Sequence, residues 1–310
     1  MRALIVTNMY PTAERPALGS FVRDQVRALE RTGEAELEVF AFGPGRAANY
    51  ARAAARLRRA PRADGFDIVH AHFGLSVWPA LAAAGRAHAV TLHGTDLAHP
   101  RSRVITVSGL RLLDLVAAVS APLAAQIPGW ATARPPAVLP IGVDTHRFRP
   151  LARAQARAEL GLDPDQPCLL FPADPSRAEK RFDRARELAG PVRLHSLGAV
   201  APEQVPLWVN AANAVLVPSE REGFGLAALE ALACEVPVLA TPVGIAPEAL
   251  AGVPGALCAP YELAVWRQAL EPHLASTDPR IPGRPAAERY STDVMAQRVL
   301  GAWRETLGAG

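Results

Sequence analysis

The chain has few cysteines, no metal-ligand cluster and little net charge, and each shortage argues against a class of protein. Cys168, Cys234 and Cys258 are widely spaced and lie beside apolar residues, so we expect buried free thiols and no disulfide framework. No Cys/His/Asp group has the spacing of a zinc site, and we expect no structural metal. The formal net charge of +3 is too small to indicate a partner nucleic acid.

Long apolar runs are also missing. No run approaches the ~20 residues that cross a bilayer, and the first residues, Met1 to Val6, favour a strand over a signal peptide. Half of the residues are hydrophobic and a fifth are charged, which is typical of a globular protein. We therefore expect a cytoplasmic protein, and 310 residues suit two domains of about 150 residues each.

A β-turn-α-β unit is predicted in the second half of the chain. Ala214 to Val217 has the apolar run of a buried parallel strand. Gly223-Phe224-Gly225 allows a sharp turn, Leu226 to Ala233 is rich in helix formers, and Val236 to Ala240 is a second strand. Because strand ends and helix N-termini bind ligands and phosphate in such sheets, this turn is a candidate site.

Two carboxylates flank the turn. Glu222 precedes the glycines, and Glu230 lies eight positions later, one to two turns inside the helix. They can face different parts of one elongated ligand. Spacing alone leaves a second interpretation open, in which both are solvated charges around an ordinary glycine turn.

Two cations precede another helix of this half. Arg177 and Lys180 lie a turn apart at a helix start. Cations there oppose the helix dipole, so an anion shared with the helix explains them better than stability does.

The first half alternates strands with helices, which predicts a doubly wound parallel sheet. Polar residues or glycine follow several strands, as His93 and Asp96 follow the strand Ala89 to Leu92. His93 is either a satisfied structural histidine or a functional one. Gly19 either allows the first loop to turn into its helix or lies close to a bound ligand.

A basic segment runs from Arg46 to Arg62 with six arginines and no acidic residue, and Arg52, Arg56 and Arg59 share one helical face. Two interpretations stay open. The arginines are solvated on a surface helix, or they contact anionic lipid head groups or an anionic acceptor.

The residues around the β-turn-α-β unit resemble a known family. Glu222-Gly223-Phe224-Gly225 followed by Glu230 resembles the E-x7-E signature of retaining nucleotide-sugar glycosyltransferases of family 4 (group 1). Short segments that resemble the sequence of this family occur in the same order at Thr91 to Asp96, Pro140 to Asp144 and Pro247-Glu248.

The resemblance implies an α/β protein of GT-B architecture, with two Rossmann-like doubly wound domains facing a cleft. Residues 1–148 would form the acceptor-side domain and 149–290 the nucleotide-sugar donor domain. Residues 291–310 would form a helix that crosses back to the first domain.

Residue roles also follow from the resemblance. Arg177, Lys180 and the helix start would neutralise the leaving diphosphate, Glu222 would hold sugar hydroxyls, and His93 would hold the sugar in the cleft. The other implied donor contacts are Gly19, Gly223, Phe224, Gly225, Leu226 and, for the ribose hydroxyls, Glu230. Asp96 would lie on the acceptor side.

Three departures from the family pattern are visible. Five residues before the lysine, where the family usually has an arginine, this chain has Pro175, and Arg177 would take the place of that arginine. Where the family usually has two adjacent glycines, this chain has only Gly19. The second domain is contracted, because few residues separate the strand Val192 to Leu197 from the 208–212 region. The nucleobase therefore does not carry over from the family.

The resemblance implies a metal-independent, retaining hexosyltransferase without a cofactor, acting in polysaccharide or glycolipid synthesis. It would move a sugar from a nucleotide-diphosphate donor to a glycan, lipid-linked or small-molecule acceptor, with peripheral contact at the inner membrane face through residues 46–62. The alternatives are a nucleotide-sugar epimerase or hydrolase on the same fold, and a non-catalytic partner subunit.

Overall fold

The computed structural model describes residues 1–60, 65–198 and 200–309, which form two compact units. Unit 1 comprises Met1–Gly142 and Thr292–Gly310, and unit 2 comprises Val143–Ser291. The sequence placed this division at residue 148, and the structure assigns the closing helix to unit 1.

Unit 1 is a parallel sheet with helices between its strands, as the alternation of apolar runs predicts. Its elements before the unit boundary are β1 (Arg2–Thr7), α1 (Ser20–Thr32), β2 (Glu36–Ala41), α2 (Ala47–Arg59), β3 (Phe66–His72), α3 (Val77–Ala80), β4 (Gly85–Leu92), α4 (Thr95–Ala98), α5 (Pro100–Leu110), β5 (Leu115–Ala118), α6 (Ala121–Ala124) and β6 (Ala137–Val138). The six strands pair in the order β2-β1-β3-β4-β5-β6, with every pairing parallel.

Register fixes which strand ends meet in unit 1. Thr7 of β1 lies opposite His72 of β3, and His72 lies opposite Thr91 of β4. Because all strands run the same way, the residues that follow them gather at one edge of the sheet. His72 and His93 therefore become neighbours although 21 positions separate them.

Unit 2 repeats this plan with a smaller sheet. Its elements are α7 (Arg153–Leu160), β7 (Cys168–Phe171), α8 (Phe182–Ala189), β8 (Arg193–Ser196), α9 (Val205–Ala211), β9 (Ala214–Val217), α10 (Leu226–Ala233), β10 (Val238–Ala240), α11 (Ala246–Ala249), β11 (Leu257–Cys258), α12 (Leu263–Ala275) and α13 (Arg284–Glu288). The parallel strands pair in the order β11-β10-β9-β7-β8. Between α8 and α9 the described residues form one strand and the short 3-10 turn Pro202–Gln204.

Helix α14 (Thr292–Gly308) closes one face of unit 1. Met295, Val299 and Trp303 are buried in one cluster with α1 residues such as Val22 and Leu29. Burying these large side chains contributes about 1.5–3 kcal/mol each, so α14 belongs to the core of the unit.

Each unit is therefore a Rossmann-like α/β domain built on a parallel sheet, which confirms the predicted fold class. In the described part of the chain, no helix has the length and apolar character needed to cross a membrane. The three thiols are free, with Cys168 and Cys234 buried and Cys258 half-buried.

Candidate functional site

Three loops at the carboxyl ends of unit 2 strands form the first candidate site. They follow β7, β9 and β10. The Glu220 amide donates to the Glu179 carbonyl at 2.9 Å, and the Ile245 amide donates to the Phe224 carbonyl at 2.7 Å. These bonds join the loops pairwise, so the side chains on them keep fixed relative positions.

Gly244 allows two of these loops to approach closely. Its φ is 61°, in the left-handed region that favours glycine. A Cβ atom there would lie 2.3 Å from the Phe224 carbonyl oxygen and 2.9 Å from the Glu222 Cβ. Any side chain at 244 would therefore push the loop after β10 away from Glu222.

Lys180 and Glu222 form an ion pair across the loops after β7 and β9. Lys180 Nζ lies 2.5 Å from Glu222 Oε2. The Ser219 hydroxyl donates to Glu222 Oε1 at 2.7 Å, so both carboxylate oxygens have partners. Only 14% of the Lys180 side chain and 9% of the Glu222 side chain are exposed, which makes the pair much less hydrated than a surface salt bridge.

Lysine is otherwise missing from the chain. Of 33 lysine and arginine residues, Lys180 is the one lysine. An ammonium group is a compact charge with three donors, whereas arginine offers a planar fork. The presence of a single lysine already sets Lys180 apart in the sequence, and the family motif alone did not reveal it.

The other predicted cation lies in a different environment. Arg177 donates to Glu179 Oε1 at 2.7 and 3.0 Å, and about half of its side chain is exposed. Its partner is thus a neighbouring carboxylate, and its diphosphate role stays a prediction.

Arg181 is a residue that the sequence analysis missed. It has a φ of 56°, unusual for a non-glycine residue, and its guanidinium group bonds both Asp183 and Glu220. The hydrogen bond from Arg181 lowers the pKa of Asp183 to about 2. Arg181 therefore ties the loop after β7 to the loop after β9 beside the Lys180–Glu222 pair.

Helix α10 starts at the glycine turn, as predicted. Gly225 has a φ of 95° and precedes Leu226, the first helical residue. The Phe224 side chain is buried, so its contacts with a ligand are limited to its backbone. Glu230 is half-buried on the same helix. The ligand roles of Gly223, Gly225, Leu226 and Glu230 stay predictions.

A row of aromatic rings forms the second candidate site, in unit 1. The ring centroids of His70 and His72 lie 4.9 Å apart, those of His72 and His93 lie 5.3 Å apart, and Phe21 lies 4.8 Å from His93. His72 Nδ1 and His93 Nε2 are 3.1 Å apart, so one nitrogen donates and the other accepts. The predicted His93 is thus one member of a histidine row.

The partners of His70 fix its tautomer. The indole N–H of Trp303 can only donate, and it lies 2.9 Å from His70 Nδ1. His70 therefore carries its proton on Nε2 and donates to the Thr91 hydroxyl at 2.8 Å.

A similar chain of donors leads to His93. The Gln25 amide nitrogen lies 3.4 Å from His72 Nε2. Donation from Gln25 places the His72 proton on Nδ1, which then donates to His93 Nε2. His93 consequently carries its proton on Nδ1, a buried atom without a hydrogen-bond partner among the described residues. This N–H is left for an acceptor that the described residues do not supply.

Burial keeps all three histidines neutral. It lowers the pKa of His72 to about 4, and it lowers the pKa values of His70 and His93 well below the ordinary value. The neighbouring rings act in the same direction at His70 and His93. A neutral His93 donates a hydrogen bond without adding a charge.

Asp96 holds the turn that carries His93. One carboxylate oxygen accepts the Gly74 amide at 2.5 Å, and the other accepts the amides of His93 at 2.5 Å and Gly94 at 2.9 Å. The side chain is fully buried, and burial raises its pKa, against the effect of these bonds. The predicted contact of Asp96 with the acceptor stays a prediction, and the burial of its side chain argues against it.

Gly19 and the arginine helix are the remaining predicted positions. Gly19 has a φ of 65°, and a Cβ there would lie 2.2 Å from the Met9 carbonyl oxygen, so the entry to α1 requires glycine. On α2, Arg56 lies over the Phe40 ring at 5.0 Å, and Arg52 donates to the Ala48 carbonyl. Arg62 of the predicted basic segment lies outside the described residues.

The chain has two parallel-sheet units, and in each unit polar residues gather at the carboxyl ends of the strands. It is therefore a protein with two Rossmann-like domains. Residues 9–147 match the model of glycosyltransferase family 4, and residues 159–279 match the model described as glycosyl transferases group 1. The chain belongs to this family, as the E-x7-E resemblance predicted.

Its relatives include proteins named D-inositol 3-phosphate glycosyltransferase. The one from Segniliparus rotundus is 32% identical over 223 residues, which cover 56% of this chain and 47% of that protein. The one from Frankia alni is 30% identical over 307 residues, covering 78% and 75%. The chain thus spans about half the length of the first relative and three quarters of the second.

Solved structures share the fold of the whole chain. Sucrose-phosphate synthase from Thermosynechococcus elongatus has a TM-score of 0.76 at 20% identity, covering 100% of this chain and 99% of that one. Anabaena HepE, solved with UDP and glucose, has a TM-score of 0.73 at 16% identity, covering 98% and 100%. At these identities the likeness shows the fold alone.

Proposed function

We propose that the protein transfers a glycosyl group from a nucleoside-diphosphate sugar to an acceptor hydroxyl, with retention of the anomeric configuration. The observation that carries this proposal is the Lys180–Glu222 pair beside the start of α10. An ammonium group and the backbone N–H groups at a helix start are donors of the kind that bind a diphosphate, and this supports the proposal. Family membership and the names of the relatives support the same reaction.

In the proposed reaction the acceptor oxygen forms a bond to the anomeric carbon while the bond from that carbon to the leaving phosphate oxygen breaks. The acceptor proton passes to the diphosphate, on the same face of the sugar. No bond to the protein forms, so positioning and electrostatic stabilisation carry the rate. Lys180 would meet the charge that develops on the leaving group.

Glu222 has two tasks in this proposal. Before donor binding it holds the Lys180 ammonium group in place, at 2.5 Å. With the donor bound, Glu222 would accept hydrogen bonds from sugar hydroxyls, while the diphosphate would form an ion pair with Lys180. Glu230 would bind the ribose, and the His93 N–H donor would bind a sugar oxygen.

The first experiment identifies the donor nucleotide by a thermal-shift panel of UDP, GDP, ADP, CMP and NAD. UDP heads the panel because HepE was solved with it. A ligand at 100 times its Kd adds about 2.7 kcal/mol, which moves the midpoint by several degrees. A shift with UDP or GDP supports the proposal, and no shift with any nucleotide favours the partner-subunit alternative.

The single lysine allows a sharper version of this experiment. An amine-reactive acylating reagent can modify only the Lys180 side chain and the Met1 amine, which lies in unit 1. The stabilising nucleotide should slow acylation of Lys180 and leave Met1 unchanged as an internal control, as read by peptide mass spectrometry. Equal slowing at both amines, or at neither, contradicts a diphosphate contact with Lys180.

Product analysis separates the enzymatic alternatives. A transferase consumes the nucleotide sugar rapidly only with an acceptor, a hydrolase releases free sugar without one, and an epimerase changes the sugar while it remains attached to the nucleotide. Glycan, lipid-linked and small-molecule acceptors belong in this screen. Metal independence stays a prediction, to be checked by activity after treatment with a chelator.

Contact of the α2 arginines with an anionic membrane also stays a prediction. Binding to acidic vesicles that falls steeply with salt, and that is lost in an Arg58→Ala/Arg59→Ala variant, would support it. Binding that is indifferent to salt would contradict it.

A further inference from the structure

Helix α5 carries large apolar side chains on its exposed side as well as on its buried side. It buries Val107 and Leu110 against unit 1, while Val104 is 70% exposed and Ile105 is 46% exposed. Large apolar side chains that lie exposed next to one another are typical of an interaction surface. The exposed side of α5 is therefore a candidate for one.

Large apolar side chains from neighbouring segments extend this face. The Trp78 indole, 40% exposed, donates to the Ile105 carbonyl at 3.2 Å. Arg111 donates to the carbonyl of Trp130, whose residue is 67% exposed. We call this surface the α5 patch, formed by Trp78, Val104, Ile105, Leu112 and Trp130. It contains five of the eight large apolar residues exposed in the described part of the chain.

The segment that carries most of the patch has almost entirely positive charge. Between Leu97 and Val143 the sequence has four arginines and one carboxylate. The arginines are Arg101, Arg103, Arg111 and Arg134. The carboxylate, Asp114, accepts the His88 amide at 2.8 Å. A depression of about 300 Å³ beside the patch is lined by Arg111, Leu112, Asp114 and Arg134, among others.

We propose that the α5 patch docks unit 1 onto the surface of an anionic lipid bilayer. Aliphatic side chains with tryptophans and arginines are the composition of interfacial membrane segments. Val104, Ile105 and Leu112 enter the apolar boundary, Trp78 and Trp130 lie at head-group level, and the arginines meet lipid phosphates. Charge complementarity selects an anionic surface.

The α5 patch differs from the basic helix α2 in one decisive respect. The residues that α2 buries are Ala53 and Leu57, and none of the large exposed apolar residues lies on it. Charge alone attracts α2 to a surface, whereas the α5 patch adds apolar insertion. This inference does not depend on the proposed transferase activity, because lipid binding is measured without substrates.

Flotation with vesicles tests the inference on the full chain. The probes are vesicles of phosphatidylcholine alone and of phosphatidylcholine with an equal part of phosphatidylglycerol. The protein should float only with the anionic vesicles. Val104→Ser/Ile105→Ser should lower the partition coefficient by about 10-fold, equivalent to about 1.4 kcal/mol. Val265→Ser, at a 41% exposed valine of unit 2, is the matched control and should not change it.

Tryptophan quenching reports which surface is inserted. Brominated anionic lipids should quench part of the fluorescence, since Trp78 and Trp130 are exposed, Trp208 is half-buried, and Trp266 and Trp303 are fully buried. Trp78→Phe/Trp130→Phe should retain binding and lose most of the quenching. This measurement on the parent and the conservative variant remains decisive if the serine variant is poorly folded.

Three results would overturn the inference. They are equal flotation with neutral vesicles, unchanged flotation of the Val104→Ser/Ile105→Ser variant, and bound protein without quenching. A parent that sediments as a dimer, and that the same variant makes monomeric, would assign the patch to a second copy of the chain.

Discussion

The ammonium group of Lys180 lies 2.5 Å from a carboxylate oxygen of Glu222, although 42 positions separate the two residues. The contact joins the loop after β7 to the loop after β9. Glu222 is also bonded to Ser219 at 2.7 Å. A cation and a carboxylate that the sequence suggested for different parts of a donor thus form one coupled unit.

Removing the ammonium group should lower the rate of transfer. Lys180→Ala is expected to decrease kcat/KM by about 10² because, in the proposed reaction, it deletes the charge that stabilises the leaving diphosphate. Arg177→Ala should have a smaller effect, since Arg177 is exposed and already paired with Glu179. Steady-state kinetics measure both.

A double-mutant cycle tests the coupling. Because Lys180 and Glu222 share one contact, Lys180→Ala/Glu222→Gln should lose less than the product of the two single losses. Strict additivity would contradict the coupling, and near-normal turnover of Lys180→Ala would refute its catalytic assignment.

Gly244→Ala should disturb the donor loops more than a matched glycine substitution elsewhere. Both Gly244 and Gly252 have a positive φ, 61° and 69°, so alanine at either costs about 1–2 kcal/mol of strain. Of the two, only Gly244 would place its new Cβ in a collision, at 2.3 Å from the Phe224 carbonyl oxygen. At Gly252 no described residue beyond the adjacent ones comes within 4 Å of a new Cβ. We expect a total loss of about 3 kcal/mol or more for Gly244→Ala.

Urea unfolding and the nucleotide-induced thermal shift measure this difference. Gly252→Ala should keep the full nucleotide shift. Gly244→Ala should lose most of it, because displacing Glu222 also displaces Lys180, the proposed diphosphate contact. Equal stability losses in the two variants would show that the loop after β10 does not constrain the turn before α10.

The sequence predicted the parts of the site that are local in the chain. The apolar run Ala214 to Val217, the glycine turn and the helix formers after it specify a strand, a turn and helix α10 without reference to distant residues. The second strand of the unit begins at Val238, two residues later than predicted. The family signature spans this same unit.

The partners of the site residues could not be predicted in this way. Lys180 meets Glu222, and His93 meets His72, only because parallel strands bring distant loops to one sheet edge. The register of β3 and β4 decides the second contact, and a register is not visible in a single strand. Likewise, Arg181 bonds Glu220 through a left-handed backbone that its residue type does not favour.

The free energy of unfolding should decrease as the pH is lowered, because of the buried histidines. The unfolded chain takes up protons below about pH 6.5, whereas His72 resists protonation until about pH 4, and the pKa values of His70 and His93 are also lowered by burial. The unfolded state then binds more protons, so the free energy of unfolding decreases by up to about 1.4 kcal/mol per pH unit for each histidine. The raised pKa of Asp96 acts in the opposite direction.

Urea unfolding between about pH 7.5 and pH 4.5 measures this slope. His72→Gln should reduce it by roughly one histidine's share. An identical slope in the parent and His72→Gln would contradict a neutral, buried His72.

The position of the His93 proton should depend on Gln25. In the parent, donation from Gln25 to His72 Nε2 directs the His72 proton to Nδ1 and the His93 proton to Nδ1. Gln25→Glu replaces the amide donor with an acceptor, so His72 should carry its proton on Nε2. His72 Nδ1 then accepts from His93 Nε2, and the donor at His93 Nδ1 is lost.

Nitrogen-15 correlation spectra of histidine-labelled protein at about pH 8, where free imidazole is neutral, identify the protonated nitrogen of each ring. Gln268→Glu, at an exposed position of α12, is the control and should give the parent spectrum. A His93 proton on Nε2 in the parent, or the same tautomer in the parent and Gln25→Glu, would contradict the donor chain. If, in addition, His93 binds the sugar as proposed, Gln25→Glu should raise KM for the nucleotide sugar, since Gln25 positions the His93 proton through His72.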